Sequence, residues 1–286
     1  VAPGANLRAY TLSFAGDTTG SDCALGQWGR GYSDLALLIE DALNDGVDVI
    51  TTSSSYPSDY EGMRWALARA IASKVPVVAC VGNESTSNST DWLPAWGGVV
   101  GVGAIETNGR PSDYQNWGRP LSTAALARPL ARSGVSQERG EWWGTSFASP
   151  VVAGSLALSM QRWPSATGNQ ILQGLARTGV GGNGGEWNQY TGYGALDIYA
   201  MLTTNPTSFP DENPFMDKGT NTVPSRQDVQ DYIDGVVDPR VVMNDNSYEY
   251  LGYDERLALS REHGYPTHLG TSPRFHASNA SNAKKK

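Results

Sequence analysis

Two short stretches leave little choice of architecture. Residues 76–81 (PVVACV) and 99–105 (VVGVGAI) are unbroken apolar runs, without the polar alternation of a strand that has one wet face. Segments of helical period lie upstream of them. Ser33 has the position of a cap before Leu35, Leu38, Ile39, Ala42 and Leu43, which share one face and stop at Asn44-Asp45-Gly46. A brief β-rich run, Val47, Val49 and Ile50, comes next. Ser58 and Glu61 then have capping-box spacing ahead of Met63, Ala66, Ala70 and Ile71. Apolar strands alternating with amphipathic helices imply an α/β fold in three layers, its mostly parallel central sheet covered on both faces and joined by right-handed crossovers. Residues 7–12 are a further short strand candidate.

The second half adds helices and then loses its pattern. Residues 146–161 are apolar on nearly all sides, which predicts a helix buried in the middle of the domain, with Pro150 near its first turn. Another helix is expected around residues 169–176. From about Thr204 the composition shifts to Pro, Asn, Asp and Ser, so residues 1–203 are read as one domain and 204–286 as a polar accessory or partly disordered tail. Ser225 and Asp228 have capping spacing before Val229, Ile233 and Val236, and residues 271–286 read as disordered.

Charge and composition narrow the function. A net charge of −8 with no basic stripe argues against a nucleic-acid partner, because phosphate must be met by clustered Lys and Arg. No apolar run approaches the roughly 20 residues of a membrane span. The 2 cysteines, Cys23 and Cys80, are too few for a disulfide framework and leave a single bridge between them open. The chain starts at Val1 without a signal-peptide pattern, which reads as a start inside a longer gene product.

The chemistry sits in residues 144–154, GTSFASPVVAG. A serine before a helix is ordinarily an N-cap. Here the whole run, with Gly144, Thr145, Ser146, Ala148, Ser149, Pro150, Val152, Ala153 and Gly154, resembles the active-site signature of the subtilisin-like serine proteases. That resemblance implies a subtilisin-like fold and makes Ser146 a nucleophile, set where backbone N–H groups and the helix dipole favour developing negative charge. The Val81-Gly82-Asn83-Glu84 turn resembles the family's turn whose side-chain amide completes the oxyanion hole, which implies that role for Asn83. It follows an apolar strand, where α/β sheets place their sites. The run 48–53 resembles the family's substrate edge, which implies that Ser53, Ser54 and Ser55 bind an extended polypeptide, with Gly82 and Thr145 also lining the substrate site. The resemblance covers about residues 1–203.

Such a hydrolase needs no cofactor, and no ligand spacing for a metal is present. It does need a base. In the family the catalytic Asp and His precede the segment that matches Val1, so both are expected on an upstream segment of the same gene product. The 3 histidines, His263, His268 and His276, lie near the C-terminus. A circular permutation that brings them to Ser146 is the rival to solvent-exposed tail histidines. Asn83, Asn88 and Asn279 also head glycosylation sequons. Location is open, with only the resemblance favouring a secreted or cell-envelope protein. Two functions remain: a serine endopeptidase, and a non-catalytic subtilisin-like scaffold that binds peptides or partners.

Overall fold

The structure, a computed structural model, describes residues 2–10, 34–53, 60–87, 92–128, 130–132, 138–182, 184–219 and 222–234. In chain order the elements are α1 (Asp34–Asn44), β1 (Ile50–Thr52), α2 (Tyr60–Ala72), β2 (Val77–Cys80), β3 (Val100–Ile105), β4 (Thr123–Leu126), β5 (Leu130–Arg132), β6 (Arg139–Glu141), α3 (Thr145–Arg162), α4 (Gly168–Thr178), α5 (Ile198–Thr203) and α6 (Arg226–Asp234). The chain divides into two compact units, one of residues 1–6, 48–57 and 76–222, the other of 7–47, 58–75 and 223–286.

The first unit holds the sheet, four parallel strands in the order β1-β2-β3-β4. Ile50 stands opposite Val77, Val78 opposite Val100 and Val102 opposite Thr123. Every residue of β2 is buried, as its unbroken apolar run requires. β4, with the sequence TAAL, has too little apolar surface to be read as a strand in isolation. It is held from both sides, by β3 and by residues 194–196, where Leu196 N–H donates to Ala124 O at 2.8 Å and Ala124 N–H to Gly194 O at 3.3 Å. β5 and β6 form a separate antiparallel pair.

α3 runs across all four parallel strands and fills the core of this unit. Ala148, Val152 and Leu156 are buried with Val78, Val100 and Val102 of the sheet and Ile171, Leu172 and Leu175 of α4. Burying one such valine or leucine contributes about 1.5–3 kcal/mol. The helix also buries three serines, and each hydroxyl turns back onto its own helix. Ser149 donates to Thr145 O at 3.2 Å, Ser155 to Val151 O at 2.8 Å and Ser159 to Ser155 O at 2.9 Å. Thr167 and Gln170 cap α4 reciprocally, side chain to backbone in both directions.

Residues 205–219 belong to this unit as well, tied to the loops ahead of β3 and β4. Asn213 donates to Gly98 O at 2.9 Å, and Gly98 N–H donates to Phe215 O at 3.0 Å. Lys218 buries its Nζ and donates to Pro120 O at 3.0 Å and Ser122 Oγ at 2.7 Å. Burial pushes its amine down to about 7.

The second unit contains α1, α2 and α6. Trp65 and Ala68 of α2 pack on Tyr232 of α6, with Ala72 and Val229 beside them. Arg69 of α2 pairs with the buried Glu40 of α1 and donates to Asn44 Oδ1 at 2.7 Å, while Arg64 pairs with Asp228. α6 starts at the expected cap, where Asp228 N–H donates to Ser225 Oγ at 3.1 Å and Ser225 N–H returns to Asp228 Oδ2 at 2.7 Å.

Several local expectations shift. Residues 7–10 join no ladder; Leu7 is 89% exposed, and Arg8 and Tyr10 both reach Asp45, at 2.8 and 2.6 Å. Thr11, Leu12, the caps Ser33 and Ser58, and residues 271–286 lie outside the described residues. The run after α1 becomes a strand only at Ile50, where pairing with β2 begins. Cys80 is buried in β2, and Cys23 lies outside the described residues.

Candidate active site

β2 delivers the chain to the site. Val81 N–H still pairs with Val102 O at 3.1 Å, and the strand then breaks at Gly82, whose φ of 97° is left-handed. A Cβ on Gly82 would stand 2.4 Å from the Trp92 ring and 2.5 Å from both Asn116 Nδ2 and Glu84 Oε2. Only glycine lets this turn close. Asn83 follows it, half-buried.

The facing wall is the start of α3. Gly144, with φ of 133°, precedes the helix and offers no side chain to cap it. Asn83 supplies the missing acceptor from across the site: its Oδ1 receives Thr145 N–H at 2.9 Å. Phe147 N–H closes onto Gly144 O at 2.9 Å. Between them, Ser146 N–H has no hydrogen-bond partner among the described residues. The Thr145 hydroxyl accepts Gly82 N–H at 3.2 Å and lies 3.1 Å from Asn83 Oδ1, so Gly82, Asn83 and Thr145 form one cluster.

Ser146 and Asn83 converge. The point at which a side chain on Gly144 would place its Cβ is 3.1 Å from Ser146 Oγ, 3.5 Å from Asn83 Nδ2 and 3.6 Å from Asn83 Oδ1, so the hydroxyl and the carboxamide both approach Gly144. A hydroxyl, a carboxamide N–H and an unengaged backbone N–H border one small space, an arrangement able to hold a carbonyl carbon near the hydroxyl and its oxygen near the donors.

Ser53 supports the peptide unit of Ser146. Its Oγ donates to Ser146 O at 2.8 Å. In a regular helix that carbonyl accepts from the residue four places on, which here is Pro150 and has no N–H. The proline therefore lies deep enough to remove an intrahelical bond, and the Ser53 hydroxyl replaces it. Ser54 and Ser55 lie outside the described residues, as do His263, His268 and His276. Among the described residues no group of His, Cys, Asp or Glu is placed to hold a metal ion, and no helix is long and apolar enough to cross a membrane.

Two features escaped the sequence. Trp142 and Trp143, 41% and 58% exposed, lie just ahead of α3, Trp142 stacking on Phe147 with centroids 6.2 Å apart and Trp143 tilted on Tyr114 at 4.9 Å. The other is Asn116, from a loop that carries no motif. Buried at 3% exposure, it hydrogen-bonds the Asn83 turn from behind. Nothing in the run DYQNWG (113–118) signals that role, since Asn in a Gly-containing loop is ordinarily a turn residue.

Comparison with known proteins agrees with this architecture. The profile of the Subtilase family matches residues 1–194. Subtilisin DY from Bacillus licheniformis is 32% identical over 172 residues, covering 59% of this chain and 62% of that protein. Subtilisin E from Bacillus subtilis (strain 168) is 30% identical over 204 residues, 70% of this chain and 50% of its own length. The chain thus spans between half and about three-fifths of these relatives. Among solved structures, fervidolysin from Fervidobacterium pennivorans, a keratinolytic enzyme related to subtilisin, superposes with a TM-score of 0.52 at 24% identity, covering 61% of this chain and 29% of that one. MycP1 with its N-terminal propeptide removed gives a TM-score of 0.52 at 25% identity over 62% of this chain and 68% of its own. By its motif, its parallel sheet and these matches, the chain belongs to the subtilase family of serine proteases.

Proposed function

We propose that this chain carries the nucleophile and the oxyanion site of a serine endopeptidase. Ser146 Oγ attacks the carbonyl carbon of a bound polypeptide; the carbonyl π pair moves to oxygen, and the resulting oxyanion is held by Asn83 Nδ2 and Ser146 N–H. Collapse of that intermediate expels the amine, leaves an acyl-enzyme on Ser146, and water then hydrolyses it. The histidine that takes the hydroxyl proton and passes it to the leaving amine, and the aspartate that orients it, come from an upstream segment of the same gene product. Ser53 to Ser55, with Gly82 and Thr145, form the edge on which the peptide lies.

The observation that carries this reading is the convergence of the Ser146 hydroxyl and the Asn83 carboxamide on Gly144, 3.1 Å and 3.5 Å from the position its Cβ would take. A scaffold that only binds peptides has no use for a donor aimed beside a serine hydroxyl. The test is labelling by a fluorophosphonate probe of the full-length gene product, read by mass spectrometry of the peptide containing residue 146. Modification at Ser146, absent in S146A and strongly slowed in N83A, is the expected result. A full-length product that carries both upstream residues and leaves Ser146 unlabelled belongs to the scaffold class instead.

A further inference from the structure

The turn that presents Asn83 is left-handed twice within four residues, at Gly82 with φ of 97° and at Ser85 with φ of 52°. Ser85 is not glycine, so its left-handed backbone must be held by its surroundings. What holds it is the loop 113–117. Ser85 N–H donates to Tyr114 O at 3.0 Å, Ser85 Oγ to Asp113 O at 2.5 Å, and Trp117 N–H to Thr86 O at 3.0 Å.

Asn116 lies at the centre of this clamp. Its backbone N–H donates to Gly82 O at 3.1 Å. Its side-chain Oδ1 receives Glu84 N–H at 3.1 Å, Thr86 N–H at 3.0 Å and the Thr86 hydroxyl at 3.2 Å. Its Nδ2 donates to Val81 O at 2.9 Å and to Glu84 Oε2 at 2.7 Å. The same carboxylate oxygen accepts Asn83 N–H at 2.8 Å. A flipped carboxamide would set Nδ2 against two backbone N–H groups and Oδ1 against a carbonyl and a carboxylate, so the orientation is unique.

We propose that Asn116 is a positioning residue for the oxyanion site, fixing the 81–86 turn, directly and through Glu84, so that the Asn83 carboxamide meets the space beside Ser146. This rests on the reading of Asn83 as the oxyanion donor. Asn116 touches no substrate atom. It acts by spanning the turn, from Val81 on one side of Asn83 to Thr86 on the other, with Glu84 as a strut to the Asn83 N–H. In Asn116→Asp the size is kept, but an oxygen replaces the donor that faces Val81 O and Glu84 Oε2. Val81 O and Glu84 Oε2 are then left without that donor.

Two readouts test this. On the 286-residue chain, hydrogen exchange in Asn116→Ala is expected to accelerate locally at the amides of Glu84 and Thr86, with those of β2 and β3 unchanged. Unchanged protection at both positions, or uniform acceleration across the sheet, overturns the proposal. In the full-length product, N116A and N116D are expected to slow acylation of Ser146 by about 10²-fold, the scale of an ångström-sized misplacement, with KM little changed. The N83A/N116A double variant should be no slower than N83A. Additive losses place the action of Asn116 elsewhere and overturn the inference alone. If N83A itself is as fast as the parent, the oxyanion reading falls with it, whatever the exchange data give.

Discussion

The two ends of the parallel sheet both bury polar side chains, and they solve the problem in opposite ways. Beyond the C-terminal end of β2, Asn83 Oδ1 accepts Thr145 N–H, the Thr145 hydroxyl accepts Gly82 N–H and Asn116 Nδ2 donates to Val81 O and Glu84 Oε2. At the N-terminal ends of β3 and β4, Lys218 buries an amine against one carbonyl and one hydroxyl, with no carboxylate in an ion pair to it among the described residues. The first arrangement spreads many hydrogen bonds over one turn and holds a precise geometry. The second is a clasp whose strength follows protonation. A many-membered hydrogen-bond network fixes atoms in place, whereas a buried lone cation makes the attachment of the 205–219 segment conditional.

The sharpest way to break this contrast is at the site end. N83A is expected to slow acylation of Ser146 in the full-length product by about 10²–10³-fold, roughly 3–4 kcal/mol of transition-state stabilisation, measured by single-turnover kinetics with a peptide ester. A modest drop in melting temperature beside that loss separates catalytic from structural damage. Equal losses in both would make Asn83 a structural residue like those at the other end.

At the clasp the expected effect is a slope. With an unfolded amine near 10.5 and the folded one near 7, both states are charged below pH 7 and the cost of burying the charge is fully present. Between about 7 and 10.5 the folded state has shed a proton that the unfolded state still binds, so stability rises with pH through that window and levels off above it. The rise is on the order of a few kcal/mol, read by urea denaturation at about pH 6 and about pH 10. K218M should flatten it, because Met has nothing to titrate. A K218M profile as steep as the parent's assigns the slope to other groups.

The smallest effect concerns helix α3. S53A removes the donor from Ser146 O and is expected to cost about 1 kcal/mol in thermal denaturation. In a P150A background residue 150 regains an N–H for that carbonyl, so S53A should then cost measurably less. A double-mutant cycle with no coupling would mean that the Ser53 contact, 2.8 Å long, does not substitute for the missing helical bond.

How much of this could be read beforehand differs between residues that interact locally and those that do not. Residues 76–81 and 99–105 announced β2 and β3 because strands buried on both faces must be apolar throughout. The helical period gave α1 and α2, and the 144–154 string pointed to the start of α3, since both signals sit on consecutive residues. β4 was illegible, because TAAL becomes a strand only between β3 and residues 194–196, which are distant in the chain. Residues 205–219 read as a polar tail, yet Asn213, Phe215 and Lys218 reach the loops before β3 and β4.

The sequence by itself therefore determined β2, β3 and the helices α1 to α4 and α6, and which serine and asparagine are candidates for chemistry, since periodicity, capping and a contiguous motif are written along the chain. Only the tertiary structure decided what those groups face: Asn83 turned by Thr145, the Ser146 carbonyl met by Ser53, the turn clamped by Asn116 and the lysine buried at the far end of the sheet. The physical reason is that a buried polar group must find partners wherever the fold brings them, and those partners stand far along the chain with no spacing rule to mark them.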